Sequence, residues 1–174
     1  MLDDDFWDYL PFGPVVSLVV VLVAAALAIY VAVVRSRAAR ASAIAMLIGS
    51  ILVVLMYTGR GSLGNANGGF SWRIGETIHG EFTNINRSVG VANLLGNVAL
   101  FVPIGWLSAV LSERRRLLIG TIAGLLLSTA VEVWQMASGS FGDVDDILLN
   151  TLGALLGAGT ATLLASRDTT SNHT

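Results

Sequence analysis

The chain contains no cysteine and no lysine. Without cysteine there is no disulfide, thiolate metal site or cysteine nucleophile to consider. Only 13% of its 174 residues are charged, about half the ~25% of an average soluble domain. That scarcity excludes a disordered chain, a nucleic-acid binder and an ordinary soluble enzyme as starting points. Histidine occurs twice, as His79 and as His173 near the end of the sequence, which leaves little for a histidine triad or a zinc site. What is abundant is apolar: 54% of residues are hydrophobic and the mean hydropathy is +0.73. Composition and length together describe a single-domain membrane protein.

Five stretches are long and apolar enough to cross a bilayer, for which ~20 helical residues are needed. They are Val15–Val34, Ala41–Gly59, Ser88–Ser112, Leu117–Met136 and Ile147–Ser166, the fourth interrupted only by Glu132. The flank of the first is acidic (Asp3, Asp4, Asp5, Asp8), unlike the basic flank of a secretory signal, so it reads as an uncleaved span. Residues 1–14 form an external segment with interfacial aromatics Trp7, Tyr9 and Phe12. Residues 15–166 form one transmembrane domain, and 167–174 a disordered cytoplasmic tail. Arginine clusters at 35–40 and 114–116, with Arg167 after the last span, put those connectors inside under the positive-inside rule. The expected fold is an all-α polytopic bundle of about five spans, N-out and C-in.

Several pattern matches carry no chemistry. Gly59-Arg60-Gly61-Ser62-Leu63-Gly64 fits G-x-G-x-x-G but follows a membrane span and precedes Asn-Gly coil, where a dinucleotide site needs a strand and then a helix. The two Asn-x-Ser/Thr sequons are patterns only. Asp143-Val144-Asp145-Asp146 begins like a calcium loop, but Ile147 stands where oxygen ligands are required.

The informative residues lie in the last three spans. Asn93 and Asn97 are four apart, and Glu132 and Gln135 three apart, so each pair shares one helix face. Asp146, Asn150, Gly153 and Gly157 form one stripe of helical period, and Gly120, Gly124, Ser128, Glu132 and Gln135 another. At ~1.5 Å per residue, Asn97 lies roughly 13 Å below the outer end of its span, and Glu132 and Asn150 roughly 6 Å below theirs. All strong polar groups thus fall in the outer half of helices that alternate in direction. Facing lipid they would be costly, so they are expected to face one another in a polar pocket open to the outer surface. For Asn93 and Gln135 alone, hydrogen bonding between helices suffices, and the two Gly-x-x-x-Gly pairs are most simply packing faces. Asp143 and Asp145 can be solvated, or Asp143 can cap a helix. Glu132, well inside an apolar helix, is a functional candidate by default. Pro103 is expected to kink or end its helix.

The blocks Asn93-Leu-Leu-Gly-Asn97-Val-Ala-Leu-Phe-Val-Pro103-Ile-Gly105, Glu132-Val-Trp-Gln135 and Asp143-Val-Asp-Asp146-Ile-Leu-Leu-Asn150-Thr-Leu-Gly153-Ala-Leu-Leu-Gly157 resemble, in order and spacing, those of the VanZ-like family. The resemblance covers about residues 84–160. Many members carry an arginine shortly before the last block; here Ser138-Gly-Ser-Phe-Gly142 stands in its place, leaving the site more acidic. The resemblance implies a multi-pass protein of the bacterial cytoplasmic membrane, in a family whose named member is associated with low-level resistance to teicoplanin, a lipid-tailed glycopeptide.

Three functions follow as expectations. In the first, Asn93, Asn97, Glu132, Gln135, Asp143, Asp146 and Asn150 bind an outer-leaflet amphiphile: a lipoglycopeptide such as teicoplanin, or a lipid-linked cell-wall precursor. In the second, Glu132, Asp143 and Asp146 are the catalytic groups of an enzyme acting on a lipid-linked substrate, alone or holding a divalent cation. In the third, Glu132 serves a proton-coupled carrier. No organic cofactor is indicated. Membrane lipids are the expected surroundings, and the glycine stripes would permit a homodimer as well as tight internal packing.

Overall fold

The computed structural model describes residues 36–59, 69–83 and 87–171, with side chains at 87–89 and 167–171 excepted. The expected span Val15–Val34, the aromatic segment before it and most of the G-x-G-x-x-G match lie outside the described residues. The elements run α1 (Arg37–Gly59), β1 (Gly69–Ser71), α2 (Glu76–Thr83), α3 (Arg87–Leu111), α4 (Arg116–Ala137), β2 (Phe141–Asp143) and α5 (Val144–Ser171). Among the described residues, α1, α3, α4 and α5 are long and apolar enough to cross a membrane. The all-α polytopic bundle expected from composition is therefore the fold observed.

Local chemistry explains the boundaries. Ser36 caps α1, its Oγ accepting from the Ala39 N–H at 3.1 Å. The turn between α3 and α4 is tight, with Arg115 in the left-handed region (φ 52°). Arg116 Nε closes that turn by donating to the Ser112 carbonyl at 3.1 Å. At the other end of α4, Gly139 (φ 84°) makes the left-handed C-terminal turn. Its N–H donates to Met136 O at 3.2 Å and that of Ser140 to Gln135 O at 2.9 Å, the paired bonds of a Schellman motif. The chain is thereby turned straight into β2. There Phe141–Asp143 pairs in parallel with Gly69–Ser71, Phe70 opposite Gly142. Asp143 then caps α5, its Oδ1 accepting from the Asp145 N–H at 2.9 Å, so the capping reading of Asp143 holds.

Two expectations require correction. The helix does not end at Pro103 but runs through it to Leu111. Neighbouring helices can support a chain at the one backbone bond a proline removes, and Pro103 itself lies on the exposed side. The tail expected to be disordered from 167 is helical to Ser171. No glycine or proline follows Gly159 to stop the helix, and polar residues can continue one beyond the apolar layer.

Inside the bundle, small residues let backbones touch. Added Cβ atoms at Gly153 and Gly157 would meet the carbonyl oxygens of Val98 and Val102 on α3, and one at Gly105 would meet that of Ala154 on α5. Ala109, Ala158 and Ala161 fill one buried cluster, while Phe101, Ile104, Val54 and Val131 fill another. Both glycine stripes thus face neighbours within the chain. Large apolar groups such as Leu126, Leu152 and Leu163 point outward, as lipid contact requires.

The turn at Ser112–Arg115 lies at one end of the bundle, next to the start of α1, where Arg40 and Glu113 pair at 4.0 Å. The segment 69–83 and the turn 138–143 lie at the opposite end. The positive-inside rule, applied to the arginine distribution, leads us to expect the first end on the cytoplasmic side. Because the chain lacks cysteine, an introduced one is uniquely labelled. Gly80→Cys, at a position whose Cβ would have nothing within 4 Å, should react with an impermeant maleimide in intact cells. Arg114→Cys should react only after permeabilisation. The reverse pattern would overturn the N-out, C-in orientation.

Candidate functional site

The polar residues gather where α3, α4 and α5 meet the segment 69–83. Glu132 is buried, at 2% exposure, in the last turns of α4. Its Oε2 accepts from the Asp143 N–H at 2.8 Å, tying α4 to the start of α5. With its amide nitrogen turned toward this carboxylate, Gln135 donates to Oε2 at 3.1 Å. Gly142 is required beside them: a Cβ there would come within 2.8 Å of the Phe70 ring and 3.3 Å of Glu132 Oε2.

A second linkage joins α3 to α5, where Asn97 Nδ2 donates to Asp146 Oδ1 at 2.6 Å. One turn outward on α3, Asn93 Nδ2 donates to Glu81 Oε1 of α2 at 3.3 Å. One turn inward on α5, Asn150 Nδ2 donates to Ser128 Oγ of α4 at 2.9 Å. The expected residues are therefore brought together in part. Glu132, Gln135 and Asp143 form one group and Asn97 with Asp146 a second beside it. Asn93 reaches instead to α2 at the exposed rim, and Asn150 lies in a deeper layer with Ser128.

Asp145 corrects the sequence reading most strongly. It is not solvated but completely buried, at 0% exposure. Its Oδ1 accepts from the Gly75 N–H at 2.7 Å, and its Oδ2 from the N–H groups of Thr77 at 3.0 Å and Ile78 at 3.3 Å. These are first-turn donors of α2, which no residue of that helix can satisfy. Gly75, at φ 85°, has no side chain with which to cap them, so Asp145 supplies the oxygen from α5. The Thr77 hydroxyl in turn donates to Asp143 Oδ2. Asp143 and Asp145 thus dock α2 onto the bundle, and α2 brings Glu81 into the site.

Glu81 and Asp145 are the functional candidates that sequence reasoning missed. Asp145 lies off the helical stripe of Asp146 and Asn150. Glu81 had one available signal, its place between the apolar Ile78 and Phe82 in a short segment joining two spans.

The carboxylates are close enough to repel one another: Asp143 and Asp146 act on Glu132, and Asp143, Asp145 and Glu81 on Asp146. Among the described residues no arginine pairs with any of them; Arg73 pairs with Glu76 at 3.4 Å on the surface. Also among the described residues, no group of three or more histidine, aspartate or glutamate side chains is arranged to hold a metal ion. Glu132 and Asp143 each accept a hydrogen bond from a backbone N–H of the chain itself.

No curated protein and no solved structure matches the chain. A model of the VanZ/LLP1 family matches residues 21–165, a range containing every element that builds the site. The chain is a multi-pass membrane protein and belongs to the VanZ/LLP1 family.

Proposed function

We propose that this protein sits in the bacterial cytoplasmic membrane and binds the polar head of an envelope amphiphile at its outer face. The ligand is a lipoglycopeptide such as teicoplanin or a lipid-linked cell-wall precursor, and binding contributes to glycopeptide tolerance or envelope function. One observation carries this reading. Glu132, Asp146 and the amides of Asn97 and Gln135, from three separate helices, gather at one end of an otherwise apolar bundle. Polar side chains held at membrane depth are costly unless they serve one another or a ligand. Exposed Trp72, Trp134 and Phe141 ring the same end, where aromatic groups favour the headgroup layer. A head group could engage the polar cluster while its lipid tail lies along the outward leucines of α4 and α5.

Glu132→Gln and Asp146→Asn preserve shape while removing charge. Each should weaken binding of a photoactivatable lipoglycopeptide to the purified protein in nanodiscs at least ~10-fold, and abolish any tolerance conferred on a sensitive host. Leu126→Ala, on the lipid-facing side of α4, should leave both intact. Unchanged binding in the two amide variants, with protein levels held, would overturn the reading.

A further inference from the structure

Two acceptor atoms in this region are buried without any hydrogen-bond partner: Glu81 Oε2 and Asn150 Oδ1. Buried acceptors are ordinarily paired, and each unpaired one needs a reason. Their positions supply one. Asn93 and Asn97, one turn apart on α3, hold Glu81 and Asp146 respectively, so those two carboxylates stand about one turn apart in depth. Asn150 is one turn further along α5 from Asp146, and a helical side chain leans back over the preceding turn. Here that turn is the one carrying Asp146. Asn150 is itself 96% buried, being 4% exposed, and its Nδ2 is held by Ser128, which fixes the amide and leaves Oδ1 as a bare acceptor. Glu81 is seated against α3 only because Gly90 lacks a Cβ, which would come within 2.8 Å of Glu81 Oε2.

From outside inward, Glu81, Asp146 and Asn150 therefore form a column rich in acceptors. Amides orient it, and among the described side chains no arginine pairs with it. We infer that this column, between α2, α3 and α5, is a binding site for a monovalent cationic group, held by Glu81, Asp146 and Asn150 and presented either as a free ion or as the ammonium of an amphiphile's head. A cation or N–H-rich ammonium satisfies both orphan acceptors and relieves the repulsion between the two carboxylates. A neutral donor can pair with the acceptors but leaves the repulsion, and an anionic head adds to it. The inference deepens the amphiphile reading and rests on it only for the second source.

The test uses the full chain in dodecyl maltoside, with the thermal unfolding midpoint followed by intrinsic fluorescence. A ligand that binds only the folded state raises that midpoint saturably. Sodium chloride, methylammonium chloride and dodecylammonium in mixed micelles are titrated separately, with choline chloride holding ionic strength constant, since choline is bulky and has no N–H donor. At least one of the three should stabilise saturably, and Glu81→Gln should raise its half-saturating concentration at least ~10-fold. Asn150→Leu, which removes the orphan acceptor and keeps the branched heavy-atom shape, should do likewise, so the inference stays testable if one variant fails to fold. Sodium or methylammonium acting alone identifies a free ion; preference for dodecylammonium identifies a head group. No saturable response to any of the three, or a response unchanged in both variants, overturns the inference. Lipoglycopeptide binding that depends on Glu132 without any cation response would overturn this site and leave the proposed function standing. A cation response without amphiphile binding would do the opposite.

Discussion

Gly157→Ala should destabilise the bundle by ~1–3 kcal/mol, while Gly96→Ala should be neutral or stabilising. Both glycines lie inside membrane helices, so propensity favours alanine at each by about 1 kcal/mol. What separates them is the space beside each Cα. At Gly157 a Cβ would meet the Val102 carbonyl and come within 2.9 Å of Trp106 N, both backbone atoms of α3. Neither can rotate away, so α3 and α5 must move apart. That separation also loosens the contacts of Ala109, Ala158 and Ala161 and the Gly153 contact one turn away. At Gly96 a Cβ would meet nothing within 4 Å. Unfolding midpoints of the two variants in one detergent decide the matter. If Gly157→Ala melts at or above Gly96→Ala, the close approach of α3 and α5 is not what holds the bundle.

The spans were legible because a bilayer imposes a minimum apolar length, and four of the expected stretches coincide with helices to within a few residues. Their ends were less legible, because charged residues are tolerated outside the apolar layer: α1 begins at Arg37, under the Ser36 cap, rather than at Ala41. Depth arithmetic gathered the polar residues toward one end of the bundle but did not pair Asn97 with Asp146; helical spacing put Glu132 and Gln135 on one face, where they hydrogen-bond. The outer cap was hidden. Three-residue strands have no period to detect, and β1 and β2 come from segments far apart in sequence. Asp145 could not be assigned from its own neighbourhood either, because its partners Gly75, Thr77 and Ile78 lie about seventy residues earlier. A carboxylate that caps a helix elsewhere in the chain leaves no local signature.

That capping role makes Asp145→Ala the substitution with the sharpest local effect. The carboxylate receives three backbone N–H bonds, and hydrogen bonds to a charged group are worth ~1.5–3 kcal/mol each. Their contributions are not additive, yet the loss of one bond alone should lower amide protection by ~10-fold or more. Hydrogen exchange should therefore accelerate at Gly75, Thr77 and Ile78, and then across α2. The core of α3, α4 and α5, built on glycine and alanine contacts remote from Asp145, should keep its protection. Asp145→Asn should fall between wild type and alanine. Its single amide oxygen can still accept, but its NH₂ faces backbone donors on the other side. With α2 released, Glu81 loses its place against Asn93 and Gly90. Binding that depends on Glu81 should then weaken as much as in Glu81→Gln, although Glu81 is intact. Uniform loss of protection through all helices would instead make Asp145 a determinant of the whole fold. Unchanged protection at Gly75–Ile78 would overturn the capping assignment itself.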